Sequence, residues 1–136
     1  MINPKSIILE ITETHIMKNI KQSMTVLNAL KDVGFKISID DFGTGHSSLN
    51  YLKRFPIDEL KIDKSFVDDL PDSKDDVAIA RAIIALSKSM GYENVAEGIE
   101  SKEQENFLRD NGCDLGQGYY FCKPQEKDNL INFLTK

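Results

Sequence analysis

Three β-patterned runs, Ile7 to Thr12, Lys36 to Asp41 and Glu59 to Asp63, constrain the fold more than any other feature of the chain. Successive residues of a strand point to opposite sides of a sheet. Leu9/Ile11, Ile37/Ile39 and Leu60/Ile62 therefore form one face, and Glu10/Thr12, Ser38/Asp40 and Glu59/Lys61/Asp63 form the other. Between the first two runs, Ile16, Ile20, Met24, Leu27 and Leu30 recur at helical spacing over His15 to Val33, and Gly34 ends that helix. A short helix over Ser47 to Arg54 is stopped by Pro56. Downstream, Pro71-Asp-Ser73 opens a helix through Met90 whose Ile79/Ile83/Leu86/Met90 stripe packs inward, and Asn94 to Gly98 is the next strand. Ser101 caps a helix to Asn111, with Glu103 and Gln104 in its first turn; Gly118 to Cys122 is expected to be the last strand, before a helix over Glu126 to Leu134.

Five strand–helix units imply a parallel α/β sheet with right-handed crossovers. A doubly wound sheet needs apolar residues on both faces of its strands, whereas here one face is polar. The pattern predicts part of a (β/α)8 TIM-type barrel, with parallel strands and about five βα units, whose polar faces converge near the carboxyl-terminal mouth. One domain is expected to occupy residues 1–136.

The run Ile37-Ser-Ile-Asp-Asp-Phe-Gly-Thr-Gly45 ends in adjacent carboxylates followed by a bend. Asp68-Asp69 and Asp75-Asp76 fall in a polar connection and at a helix start, where acids are usually solvated or face the helix dipole. Only Asp40 and Asp41 close a strand, a placement that suits either turn chemistry or metal binding. Glu10, Asp40, Asp41 and Glu97 come from three strands, and like charges brought close do not all stay ionised unless cations separate them. Hard oxygen donors suit Mg2+ or Mn2+, and two such ions about 4 Å apart can hold a phosphodiester, generate hydroxide and neutralise the leaving oxygen. Lys61 lies on the same face, where it either positions the attacking water or pairs with the acids.

The net charge of −5, with no Lys/Arg run or basic aromatic stripe, disfavours a nucleic-acid polymer as partner. No apolar run approaches the ~20 residues of a membrane helix, and the first residues lack a signal pattern, so a cytoplasmic protein with no membrane attachment of its own is expected. Cys113 and Cys122 fit no C-x-x-C pattern and are expected to be free thiols used in packing. His15 and His46 are the only histidines and form no recognisable triad with serine or cysteine; Gly43-Thr-Gly45 lacks the lysine of a phosphate loop and suits a bend. Tyr119 and Tyr120 fit either core or substrate contact.

Five ordered blocks now add a resemblance. Leu9-Glu-Ile-Thr-Glu13, Ile39-Asp-Asp-Phe-Gly-Thr-Gly45 with Ser47-Ser-Leu49, Pro56-Ile-Asp with Leu60-Lys-Ile-Asp63 and Ser65-Phe-Val67, Val95-Ala-Glu-Gly-Ile-Glu100, and Gly112-Cys-Asp114 with Gln117-Gly-Tyr119 and Phe121 resemble the EAL domain family of cyclic di-GMP phosphodiesterases. The resemblance implies two metal ions, Mg2+ or Mn2+, in an intact site, with Glu10, Asp40, Asp41 and Glu97 as ligands. It implies that Lys61 assists the attacking water beside the ligand Asp41, and that Glu100 and Gln117 support metal, water or substrate contacts. Glu13 matches the glutamate that anchors the active-site loop Phe42 to Ser48, which includes Gly43, Thr44, Gly45 and Ser47. The implied reaction is hydrolysis of cyclic di-GMP to pGpG.

The resemblance covers the carboxyl-terminal portion of that domain, from about its fourth strand. The signature Glu-Ala-Leu segment, one glutamate ligand and one asparagine ligand belong to the part before it. His46 stands where Tyr is usual and Asn94 where an apolar residue is usual; both changes are expected to be tolerated. The chain alone is expected to be weakly active or inactive, with a non-catalytic role in cyclic di-GMP binding or protein–protein interaction as the alternative. Open edges at Ile7 to Thr12 and Gly118 to Cys122 imply a homo-oligomer or a partner that completes the barrel.

Overall fold

The structure is a computed structural model that describes residues 2–45 and 49–135. Among these, five parallel strands stand in the order of the sequence: β1 (Ile8–Thr12), β2 (Lys36–Phe42), β3 (Glu59–Ile62), β4 (Glu93–Ala96) and β5 (Leu115–Gly116). Helices join them: α1 (Glu13–Lys18) and α2 (Ile20–Val33), α3 (Leu49–Leu52), α4 (Lys74–Met90), α5 (Lys102–Asp110) and, last, α6 (Lys127–Leu134). Unbroken neighbour-to-neighbour parallel pairing is the arc of a (β/α)8 barrel rather than a doubly wound sheet, whose strand order would reverse.

The core forms on the face that side-chain parity marked as apolar. Ile37, Ile39, Leu60 and Ile62 are buried with Leu27 of α2 and Ala80, Ile83 and Ile84 of α4. Ile79, Leu86 and Met90 flank that line and are only half-buried, so the inward stripe of α4 runs slightly to one side of the expected one. The opposite face is polar, and its centre is closed to water: Ser38, Glu59 and Lys61 are buried, and the Ser38 hydroxyl donates to Glu59 Oε1 at 2.6 Å. A buried carboxylate needs such a partner, because desolvation without one costs several kcal/mol, on the order of the stability of a domain.

Three elements differ from the sequence reading. The fourth strand is Glu93–Ala96 and not Asn94 to Gly98, because β4 pairs with β3 only from Glu93 to Ala96. The helix expected over His15 to Val33 is two helices, divided at Asn19, whose side chain accepts from the Gln22 N–H and caps α2. An asparagine that caps its own downstream turn competes with the continuous helix. The last strand is Leu115–Gly116, and not Gly118 to Cys122. Residues 118–121 form a turn, with the Phe121 N–H donating to the Gly118 carbonyl at 3.1 Å, because Gly118 lies directly against the backbone of Ile99. The second open edge is therefore Leu115–Gly116.

The expected caps are in place. Ser73 caps α4, Ser101 and Gln104 form a reciprocal capping box on α5, and Gly34 and Gly91 end α2 and α4 in the left-handed region. Asn94 is fully buried and exchanges hydrogen bonds with Asp114, its amide donating to Oδ2 at 2.9 Å and its Oδ1 accepting from the Asp114 N–H at 3.0 Å. That pair ties β4 to the approach of β5 and shows how a polar residue is accommodated there. Cys113 and Cys122 are free, and burial pushes the Cys113 thiol up to about 11.

Candidate metal and active site

At the carboxyl end of β2, two consecutive acids reach the same space. Neighbouring strand residues would ordinarily point apart. Here the pairing of β2 with β3 shifts register between Ile39 and Phe42, and Asp41 takes a left-handed backbone, φ 57°. The extra residue of a β-bulge re-aims a side chain. Asp40, Asp41 and Glu97 each offer a carboxylate oxygen within 4.8 Å of the others. Glu97 lies just past β4, and its N–H donates to the Ile62 carbonyl at 3.1 Å, so the sheet still fixes its backbone.

Lys61 of β3 is the cation of this cluster. Its side chain is 4% exposed, with Nζ 2.9 Å from Glu10 Oε1, 2.5 Å from Glu97 Oε1 and 4.0 Å from Asp40 Oδ1. Burial alone would lower its pKa, but hydrogen bonds to Glu10 and Glu97 overcome that and raise it. For Glu97 the balance is reversed: burial raises its pKa despite the Lys61 partner, because Asp40 adds a like charge. Asp41 is also raised, by burial and by Asp40, and it shares a hydrogen bond with Asp63. Burial likewise acts to raise Asp63, yet the hydroxyl and N–H of Ser65 donate to its Oδ1 and hold it low. Five acids, Glu10, Asp40, Asp41, Asp63 and Glu97, around one ammonium leave excess negative charge, the condition that a divalent cation relieves.

Of the ligands read from the sequence, Asp40, Asp41 and Glu97 thus converge, while Glu10, half-exposed, joins through Lys61. Glu100 lies outside the cluster: it is exposed and pairs with Lys64 at 2.5 Å, and Lys64 also reaches Asp68 at 3.2 Å. Gln117 is exposed, with its backbone N–H donating to the Ala96 carbonyl at 2.8 Å and its carbonyl accepting from Ile99 at 3.1 Å, so it splices the β5 segment to the end of β4. Glu13 is buried, and its Oε2 accepts from the Gly43 N–H at 3.0 Å. Phe42 is buried beneath that bend; the Thr44 hydroxyl donates to the Asp41 carbonyl at 2.7 Å; and a Cβ on Gly45 would stand 3.2 Å from the Glu13 carboxylate. Ser47 and His46 lie outside the described residues.

Two contributors had no role in the sequence reading. Asp63 was placed on the polar face by parity but assigned nothing, although an acid two residues after a buried lysine on the same face had to lie near it. Gln104 was read only as a helix-start residue. Its carbonyl accepts from the N–H groups of Glu100 and Ser101, while its amide donates to the carbonyls of Val67 and Asp68, which locks the Glu97-to-Glu100 loop to the segment after β3.

The model of the EAL domain family matches residues 1–124. The chain belongs to the EAL domain family. The cyclic di-GMP phosphodiesterase NbdA of Pseudomonas aeruginosa is 49% identical over 126 residues, which are 93% of this chain and 16% of NbdA. A solved structure of the P. aeruginosa MucR phosphodiesterase in complex with c-di-GMP superposes with a TM-score of 0.92 at 44% identity, over 95% of this chain and 52% of that one. Klebsiella pneumoniae BlrP1, solved with manganese and cyclic di-GMP, superposes at 0.84 with 36% identity, over 90% of this chain and 31% of BlrP1. The EAL chain described here thus spans a small part of its curated relative and about half of the MucR chain. Those two EAL structures are complexes with cyclic di-GMP, and a divalent metal is consistent with the all-oxygen cluster on this chain.

Proposed function

We propose that residues 1–136 are the carboxyl-terminal part of a single EAL-type domain, carrying the metal-binding face of a cyclic di-GMP phosphodiesterase. The observation that carries this is the convergence of Asp40, Asp41 and Glu97 on one point beside the buried Lys61. Mg2+ or Mn2+, two ions in an intact site, would supply a water acidic enough to attack at neutral pH and charge to neutralise the phosphodiester in its transition state. Asp40, Asp41 and Glu97 would hold the metal, with Glu10 as a further ligand released from Lys61. Lys61 donates to the attacking oxygen and keeps charge balance among the acids. Glu13 fixes the Phe42-to-Ser48 loop through Gly43, so the bend that carries Asp41 keeps its shape while substrate binds. Glu100 and Gln117 serve substrate or water at the rim. The product is pGpG, and the site of action is the cytoplasm.

Glu10 is half-exposed and held by a Lys61 that also binds Glu97, which favours a chain with little or no turnover by itself, acting through binding until further ligands reach the mouth. The test is to titrate the chain with Mn2+ by electron paramagnetic resonance, then add cyclic di-GMP and follow pGpG by chromatography. Expected are Mn2+ binding that Asp40→Ala weakens at least tenfold, within the range seen for disturbed metal sites, and product at or below detection. Mn2+ binding unchanged in Asp40→Ala would overturn the site. Clear product that Asp40→Ala abolishes would overturn the expected inactivity and leave the site standing.

A further inference from the structure

The strands that carry the acids stop pairing before the site is complete. β3 and β4 pair from Glu59 with Glu93 to Ile62 with Ala96, and beyond them the main-chain link is the Glu97 N–H donating to the Ile62 carbonyl. Past that point the Gln104 side chain takes over. Its Oε1 accepts from the N–H groups of Glu100 at 2.8 Å and Ser101 at 3.1 Å, and its Nε2 donates to the carbonyls of Val67 at 3.1 Å and Asp68 at 3.0 Å. Lys64 bridges the same two segments through Asp68 and Glu100, but all three side chains are about half-exposed, where ion pairs contribute little. Gln104 is only 7% exposed.

In a capping box the third helical residue reaches back to the N-cap N–H, and Glu does this as well as Gln. A Glu at 104 would also set its charge against the positive end of α5. Capping alone therefore gives no reason for an amide here. The two carbonyls opposite do: a carboxylate has no hydrogen to donate, and would hold its charge against them in a buried space. We propose that Gln104 is a positioning residue for the metal site: its amide ties the loop that carries Glu97 to the segment that follows Asp63, so that Glu97 stays in reach of Asp40 and Asp41 when Lys61 lets go of it. This rests on the metal-site reading of those three acids. Gln104 bonds main-chain groups throughout and acts through the loop, not on the metal.

Gln104→Glu and Ser101→Ala separate the tie from the cap. The first keeps the capping acceptor and loses both donors; the second removes the hydroxyl that accepts from the Gln104 N–H and leaves the donors in place. In the metal-free chain, hydrogen exchange at the Glu97 and Ile99 amides, measured against β2 amides in the same sample, is expected to quicken at least about tenfold in Gln104→Glu and to stay within about twofold in Ser101→Ala. Mn2+ titration by electron paramagnetic resonance is expected to show a dissociation constant about tenfold higher in Gln104→Glu, the cost of disturbing a group behind a ligand. The added negative charge by itself favours the cation, so weaker binding reports the lost tie. Overturning results are parent-like exchange at Glu97 in Gln104→Glu, equal loosening in both variants, or unchanged Mn2+ affinity in Gln104→Glu where Asp40→Ala weakens it. Mn2+ binding that Asp40→Ala leaves unchanged overturns the metal reading instead, and exchange alone then decides whether Gln104 ties the loop. If Gln104→Glu does not fold, the parent decides: its Gln104 side-chain amide hydrogens are expected to exchange slowly with solvent, and exchange as fast as at the exposed Gln22 overturns the tie.

Discussion

Asp41 combines two costs in one residue. Its backbone sits at φ 57°, where a side chain other than glycine is strained by roughly 1–2 kcal/mol, and its carboxyl group is partly desolvated beside Asp40. Both costs follow from turning two consecutive acids toward one point. Replacing it separates them: Asp41→Ala keeps the strained backbone and removes the charge, whereas Asp41→Gly removes both. Urea unfolding is expected to show Asp41→Gly more stable than Asp41→Ala by about 1 kcal/mol, and equal midpoints would mean that the left-handed turn is absent. Parity in the sequence put Asp40, Glu10 and Lys61 on the shared face correctly. The same parity sends Asp41 to the other face, although the sequence reading grouped it with Asp40 as an oxygen donor at the strand end; the bulge that reconciles the two leaves no mark in an Asp-Asp pair, because it is fixed by how β2 registers against β3.

Among the elements, those with a long periodic pattern and a capping residue were legible: α4 and α5 begin after Ser73 and Ser101, as their sequences indicate. The break at Asn19 was not, since apolar spacing continues on both sides of it and the deciding interaction is one side-chain hydrogen bond to Gln22. The fifth strand was misplaced because Gly-Tyr-Tyr-Phe-Cys has strong β preference, while its course is decided by a close approach invisible in the chain. Gly118 lies so near the Ile99 backbone that a Cβ would overlap main-chain atoms, which cannot rotate away. Gly118→Ala is expected to cost about 3 kcal/mol, the upper part of the range for overpacking, and to lower the thermal midpoint with loss of protection at the amides of Ile99 and Tyr120, which pair with this segment. A midpoint within a degree of the parent would contradict that packing.

For the whole molecule, two networks run side by side through one sheet: an apolar layer between strands and helices that holds it together, and a charged layer opposite that is hydrogen-bonded within itself, with Ser38 on Glu59 and Lys61 on Glu10 and Glu97. In small zinc domains the metal supplies the folding free energy and chelators unfold them. Here the Lys61 ammonium already occupies the centre of the acids, so the fold carries its own counterion. Thermal unfolding is expected to give the same midpoint, within about 2 °C, in buffer with Mg2+ at micromolar concentration and in EDTA; a drop of ten degrees on chelation would show that the metal is structural. Loading a metal there would be an ion exchange rather than a filling, with Lys61 releasing carboxylates as the metal took them. On that expectation the scaffold would persist without metal, and affinity would be set by competition between an ammonium that never leaves and an ion that does.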